Sequence, residues 1–252
     1  MNFLFPNLPY VMLLKNYYFI FLARTSKTLG KGKYFRKKLF SARRILELNF
    51  PADDDFSFLQ IGANDGVSFD FLHSFVMKRK SSGIVVEPVK DYFDELCENY
   101  KTVPAIIKIN SAIHRSEKSI IIYKIDKNKT YLYPDWVKGI ASFNVEHLTK
   151  FESIDREHII EEKVLAEPLM NIIERISIPK IDYFQVDTEG YDYHVVDLFD
   201  FSKYKPRMIK AEYINLKLEE KKKMKKKLKE NGYFFFFEGL DIVGMDLNTI
   251  KL

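Results

Sequence analysis

Asp187 and Glu189 stand two residues apart in FQVDTEGYDYHVV (residues 184–196), where an apolar run stops and Gly190 follows. Carboxylates at the end of a buried strand are unfavourable unless they have partners or chemistry to perform. Three uses fit the pair: a general base, an acceptor for substrate hydroxyls, or a metal ligand. The alternative is helix capping by Asp187 or Thr188, with Glu189 and Asp192 at the positive end of the following helix. A second cluster is FLQIGANDG (residues 58–66), in which Gly62 and Gly66 bracket a tight turn. Small residues there let a ligand approach the backbone, and the next helix offers unpaired N–H groups. The spacing is G-x-x-x-G rather than the G-x-G-x-x-G of dinucleotide sites, and Asp65 would repel a pyrophosphate. Asn64 and Asp65 suit a ligand with amino and hydroxyl donors instead.

Glu87 ends IVVEP about 20 residues beyond that loop, where a carboxylate accepts both hydroxyls of an adenosine ribose. Pro88 fixes the turn and directs the side chain upward. A third run reaches Asn110, Ser111 and Ala112, small and polar residues able to border an adenine. The five His are scattered without metal-ligand spacing, so no metal is expected, and no nucleophile elbow or phosphate-binding loop is present.

The elements that would place these residues alternate along the chain. Strands are expected at 56–61, 83–86, 103–109, 119–125, 181–186 and 207–213, and helices from the glycine loop to about 78, then at 90–100, 168–176, 191–200 and 217–231. Residues 126–150 read as irregular, with Tyr131, Tyr133 and Trp136 able to face an acceptor. Strand–helix alternation requires crossovers and a mostly parallel, doubly wound sheet. The runs 233–237 and 241–246 are too close for a crossover, so they form an antiparallel hairpin at one edge. A ligand then lies beyond the carboxyl ends of the strands, where strand order reverses.

Taken together, QIGANDG, VVEP, NSAI and IDYFQVDTEGYDYHVV, with RMIKAEY and ENGYFFF…GLDIVGMDL behind them, resemble the FkbM family of S-adenosylmethionine-dependent methyltransferases over about residues 56–246. The resemblance implies a Rossmann-like α/β fold with a seven-stranded sheet, S-adenosyl-L-methionine as cofactor, and O-methylation of a sugar, glycan or natural-product hydroxyl. It places Gly62, Asn64, Asp65 and Gly66 at the cofactor's amino-acid end, Glu87 at its ribose, and Ser111 and Ala112 at its adenine. Asp187 and Glu189 then face the acceptor, one of them as general base. Methyltransferases of this fold usually carry an acid two residues before the first loop glycine; here that residue is Gln60.

The net charge of +5 over 252 residues is unevenly held: residues 1–46 carry ten Lys and Arg and no Asp or Glu. The remaining chain is therefore mildly acidic, and the basic pI does not argue for a nucleic-acid-binding fold. One Cys excludes a disulfide scaffold and a Cys-rich zinc site. The chain divides into an arm, 1–50, and a methyltransferase domain, 51–252. In the arm the positive charge follows the apolar stretch, opposite to an export signal, so a cytoplasmic location is expected. Pro6, Asn7, Pro9, Lys15 and Asn16 interrupt the stretch and disfavour a spanning helix. Two readings of the arm remain: peripheral contact with a membrane through residues 1–46, or a helical lid packed on the domain. The competing function is a membrane-peripheral or nucleic-acid-binding interaction module with a degenerate cofactor site.

Overall fold

The structure, a computed structural model, describes residues 9–28, 30, 32–68 and 70–252. Pro6 and Asn7 of the arm lie outside these. In chain order the elements are α1 (Pro9–Thr28), α2 (Gly32–Leu39), α3 (Ala42–Asn49), β1 (Asp55–Ile61), α4 (Leu72–Val76), β2 (Lys80–Val86), α5 (Lys90–Asn99), β3 (Ile106–Ile109), β4 (Ala112–Ile113), β5 (Ser119–Ile125), β6 (Ala141–Ser142), α6 (Val145–Thr149), β7 (Ile159–Glu167), α7 (Leu169–Ile176), β8 (Tyr183–Val186), α8 (Asp192–Leu198), β9 (Met208–Glu212), α9 (Leu218–Glu230), β10 (Phe234–Glu238) and β11 (Asp241–Met245).

The main sheet has seven strands in the order β10-β11-β9-β8-β1-β2-β3. Strands β9, β8, β1, β2 and β3 are mutually parallel, and β11 runs antiparallel to both β9 and β10. The expected hairpin is thus at the edge, with its second strand inside. Strand order reverses between β1 and β8, which opens a crevice at their carboxyl ends.

Side-chain alternation divides the apolar residues between two layers. Phe56, Phe58, Val85, Tyr183, Met208 and Val243 face α4, α5 and the arm, whose Ile20, Ala23, Leu39, Ala42, Ile45, Leu46 and Phe50 enter the same core. Leu59, Ile61, Ile84, Phe184, Val186 and Ile209 face the other way, onto Leu169, Ile172 and Ile173 of α7, Val195 and Val196 of α8, and Met224 and Leu228 of α9. The highly charged LEEKKKMKKKLKE helix reaches this core through Met224 and Leu228.

Residues 110–167 depart from simple alternation. The expected strand 119–125 forms, but it joins a second, four-stranded sheet of order β4-β7-β5-β6. Its antiparallel partner β7 pairs with it from Ser119↔Leu165 to Ile125↔Ile159. The segment builds its own core from Ile125, Val137, Ile140, Leu148 and Ile154, and stands beside the crevice as a wall. The helix after the glycine loop is shorter than expected, Leu72–Val76. Asp65 holds the preceding turn by accepting from Val67 N, Ser68 N and Ser68 Oγ, and Asp70 accepts from Leu72 N at the helix start.

Candidate active site

A cavity of about 430 Å³ lies at the carboxyl ends of β1, β2, β8 and β9, against the wall built by residues 110–167. That volume is ordinary for a small-molecule site. Its floor is the glycine loop. Gly62 N and Ala63 N donate to Val86 O at 2.9 and 3.1 Å, tying β1 to β2 where the loop begins. Gly62 has φ +74°, and a Cβ there would fall 1.7 Å from the Asp187 carbonyl oxygen. The loop can therefore lie against the end of β8 only with glycine at this place. Gly62→Ala is expected to abolish cofactor binding and lower the melting temperature, read by calorimetry and thermal denaturation; wild-type affinity in that variant would contradict the packing.

Asn64 follows in the left-handed region, φ 51°, which asparagine tolerates better than most residues. Its N–H donates to Glu87 Oε2 at 2.8 Å, while Val89 N donates to Oε1 at 2.9 Å. Glu87 thus clamps the loop to the end of β2, and each carboxylate oxygen keeps a further lone pair. Burial pushes its carboxyl up to about 7, against the two N–H groups that favour its ionised form.

Gly62, Asn64, Glu87, Ser111, Ala112, Asp187 and Glu189 all line the cavity. Asp65 and Gly66 stand back from it and shape the loop. Asp65 turns its carboxylate onto its own turn, and Gly66 abuts Leu96 and Tyr100. Trp136 lines the cavity beside Phe151, at a ring distance of 4.9 Å. Tyr131 is exposed, and Tyr133 is a packing anchor whose hydroxyl sits 2.6 Å from His158 Nδ1.

The acidic end is richer than the sequence reading anticipates. Asp187 leaves β8 with its side chain open to the cavity, yet deep within the protein, and its carboxyl is held well above the usual range. Desolvation is the first cause; Asp192, Glu189 and Glu212 add to it, and Lys210 opposes it. Glu189 takes φ 51° and accepts from His147 Nε2 at 2.7 Å. Neither Asp187 nor Thr188 caps α8. The left-handed turn at Glu189 and Gly190 delays the helix to Asp192, which accepts from Thr188 Oγ1, Gly190 N and Glu212 N. Glu212, at the end of β9, accepts from the Asn215 side chain through Oε1, whereas its buried Oε2 has no hydrogen-bond partner among the described residues. Burial, then Glu189, pushes its carboxyl up to about 7.

Among the cavity residues missed from the sequence are Glu212, His147 and Asp70. Glu212 closes RMIKAEY as Glu87 closes IVVEP, so the same strand-end signal marks it. His147 follows Asn144, whose side chain accepts from Glu146 N as a helix cap; that cap was a readable sign of α6 in a stretch taken as irregular. Asp70 had no local signal. It supplies the negative charge absent at Gln60: Gln60 Nε2 donates to Asp70 Oδ2 at 3.2 Å, and Gln185 Nε2 donates to the same oxygen. The Gln60 carbonyl Oε1 is buried and has no donor among the described residues. His194 pairs with Glu220, 3.0 Å away and off the cavity.

A reversed parallel sheet with an antiparallel hairpin, a glycine loop after the first strand, a carboxylate after the second and acids at the ends of two central strands defines a Rossmann-like methyltransferase. More narrowly, the model of the methyltransferase FkbM domain matches residues 60–235, and the chain belongs to the FkbM methyltransferase family. The solved structures similar to it include methyltransferase FkbM from Methylobacillus flagellatus KT, 12% identical with a TM-score of 0.45, over 77% of this chain and 44% of that one. A precorrin-6y C5,15-methyltransferase from Geobacter metallireducens GS-15 is 10% identical at TM-score 0.42, covering 81% and 86%. The fibrillarin pre-rRNA processing protein of Methanococcus jannaschii is 15% identical at TM-score 0.39, covering 78% and 68%. No curated protein matches the chain. The cofactor is S-adenosylmethionine. The residues present fit it: the glycine floor would be filled by a Cβ, the carboxylates of Asp70 and Glu87 offer acceptors to its ammonium and diol, and Gln60 Oε1 lacks a donor among the described residues.

Proposed function

We propose that the protein is an O-methyltransferase acting on a hydroxyl of a neutral, polyhydroxylated acceptor, a sugar, glycan or natural product. The observation that carries this is the pairing of an acidic cavity end, Asp187, Glu189 and Glu212, with the aromatic wall of Trp136, Phe143 and Phe151. Carboxylates accept hydroxyl protons and repel phosphate, and aromatic faces suit sugar rings. This disfavours a nucleic-acid acceptor.

When bound, the cofactor supplies a methyl group on a sulfonium already activated for displacement. The protein's residues orient the partners, exclude water and remove a proton. Glu87 would hold the ribose diol, Asp70 with Gln60 the ammonium, and Ser111 and Ala112 would border the adenine. Gly62 and Asn64 shape the floor beneath the amino-acid end, while Asp65 and Gly66 fix the loop's form. Glu212 would take the acceptor's hydroxyl proton. His147 holds Glu189, and Asp187 accepts or donates a hydrogen bond at the acceptor. The test is transfer of label from methyl-labelled cofactor to a panel of purified glycans and small polyols, with RNA as the contrasting substrate. Label on a hydroxyl supports the reading; label only on RNA or on nitrogen overturns it.

A further inference from the structure

Helix α1 presents two faces, and only one belongs to the domain. On the inner face Asn16 donates to Leu247 O at 3.0 Å and Ile250 O at 2.6 Å and accepts from Leu252 N at 3.1 Å. Ile20 and Ala23 are buried beside it in the core that also holds Phe58 and Val243. The helix is therefore pinned through its middle turns. The outer face carries Tyr10, Leu14, Tyr17, Tyr18 and Phe21, between 55% and 77% exposed. At about 100° per residue these five fall on one stripe roughly 100° wide, opposite Asn16. Apolar surface on both sides explains why residues 9–23 look almost long enough to span a bilayer, although no described helix is long and apolar enough to cross one.

A row of bare aromatic and aliphatic side chains on a pinned helix needs a covering. Its surroundings say which. Lys15 and Arg24 lie exposed at the margins of the stripe, and α2, packed against α1, exposes Arg36, Lys37 and Lys38. Residues 1–46 hold no acid at all. A second copy of the chain on this face would bring basic margins together. An RNA would use the charge and the ring faces but leave the aliphatic Leu14 wet. An anionic lipid surface satisfies both features: tyrosines sit at headgroup depth, Leu14 and Phe21 reach the acyl boundary, and the basic side chains meet the headgroups.

We propose that the outer face of α1 docks the protein on an anionic membrane surface, with the helix in the membrane plane. The two readings of the arm then cease to compete, since the inner face packs on the domain and the outer face meets lipid.

The test is vesicle flotation of the full chain. Two vesicle compositions are used, phosphatidylcholine alone and phosphatidylcholine mixed with phosphatidylserine. The expected result is flotation with the anionic vesicles and about tenfold less with the neutral ones. The combined change Tyr17→Ser, Tyr18→Ser and Phe21→Ser is expected to cut flotation at least about tenfold. Arg36→Gln, Lys37→Gln and Lys38→Gln together should remove the preference for phosphatidylserine. Stabilisation of each variant by S-adenosylhomocysteine, read as the shift in melting temperature, should match wild type and shows that the domain is folded. Failure of the wild-type chain to float, flotation of the aromatic variant at the wild-type level, or a wild-type dimer in solution that the aromatic variant dissolves would each overturn the proposal.

Discussion

Glu87→Gln is expected to weaken S-adenosylhomocysteine binding about 10- to 100-fold at pH 8 and to remove the pH dependence of that binding. The magnitude follows from losing charge-assisted hydrogen bonds worth about 1.5–3 kcal/mol. The pH dependence follows from burial. Glu87 is enclosed at the end of β2, and desolvation lifts its carboxyl from 4.5 to about 7. For an acid, a raised folded value means the native state holds its proton longer than the unfolded chain. Glu87's contribution to stability is thus complete below pH 4.5 and declines by roughly 3 kcal/mol as pH rises through 7. Ligand binding runs the other way. A ribose diol donates hydrogen bonds and so favours the carboxylate, which at about pH 6 is mostly protonated and at about pH 8 mostly ionised. Wild-type affinity should be about tenfold weaker at pH 6 than at pH 8, with proton release on binding at the lower pH. Isothermal titration at both pH values checks this. A wild-type affinity equal at the two, or a Glu87→Gln variant that keeps the slope, would remove Glu87 from the ribose.

The same residue shows what a linear sequence makes legible. Glu87, Asp187 and the glycine loop were readable because each sits where an apolar run stops, and strand–turn–helix punctuation is local. The mostly parallel, doubly wound sheet and its terminal hairpin follow from that alternation and from connection length, whereas the count of seven strands comes with the family resemblance. The wall over the cavity does not. Residues 119–125 look like a strand, but nothing within them says whether they extend the parallel sheet or leave it. That depends on pairing with β7, more than thirty residues later. β7 itself reads IIEEKVLAE, whose charges at Glu161, Glu162 and Lys163 disguise a strand with one face in solvent. His147 and Asp70 escaped for the same reason: their partners, Glu189 and Gln185, are distant in sequence. Asp65 misled in the opposite direction. An acid in a cofactor loop invites a ligand role, whereas here short-range hydrogen bonds to Val67 and Ser68 claim it.

Glu212→Gln is expected to lower kcat by about 10²- to 10⁴-fold, the range for removing a general base, while leaving S-adenosylhomocysteine affinity near wild type. Three carboxylates compete for the role, and their surroundings separate them. Glu189 is committed to His147 at 2.7 Å, with Asn215 at 3.5 Å on the same oxygen. Asp187 is raised well above its ordinary value by desolvation and three neighbouring acids, which disfavours its ionised form. Glu212 is anchored through Oε1 and has Oε2 unpartnered among the described residues, with its carboxyl at about 7, matched to proton transfer near neutrality. Desolvation raises it, so the accepting form appears only as pH climbs: kcat should rise through about pH 7 and then level. Glu87 titrates in the same region in the free enzyme, so kcat/KM mixes the two groups, whereas kcat isolates the one that acts after binding. The Glu212→Gln variant should lose that rising limb. Glu189→Gln should cost less and raise KM, because it frees His147 without removing the proton acceptor. If Glu212→Gln turns over normally while Asp187→Asn does not, the proton leaves by way of β8, and Asp187 rather than Glu212 is the base.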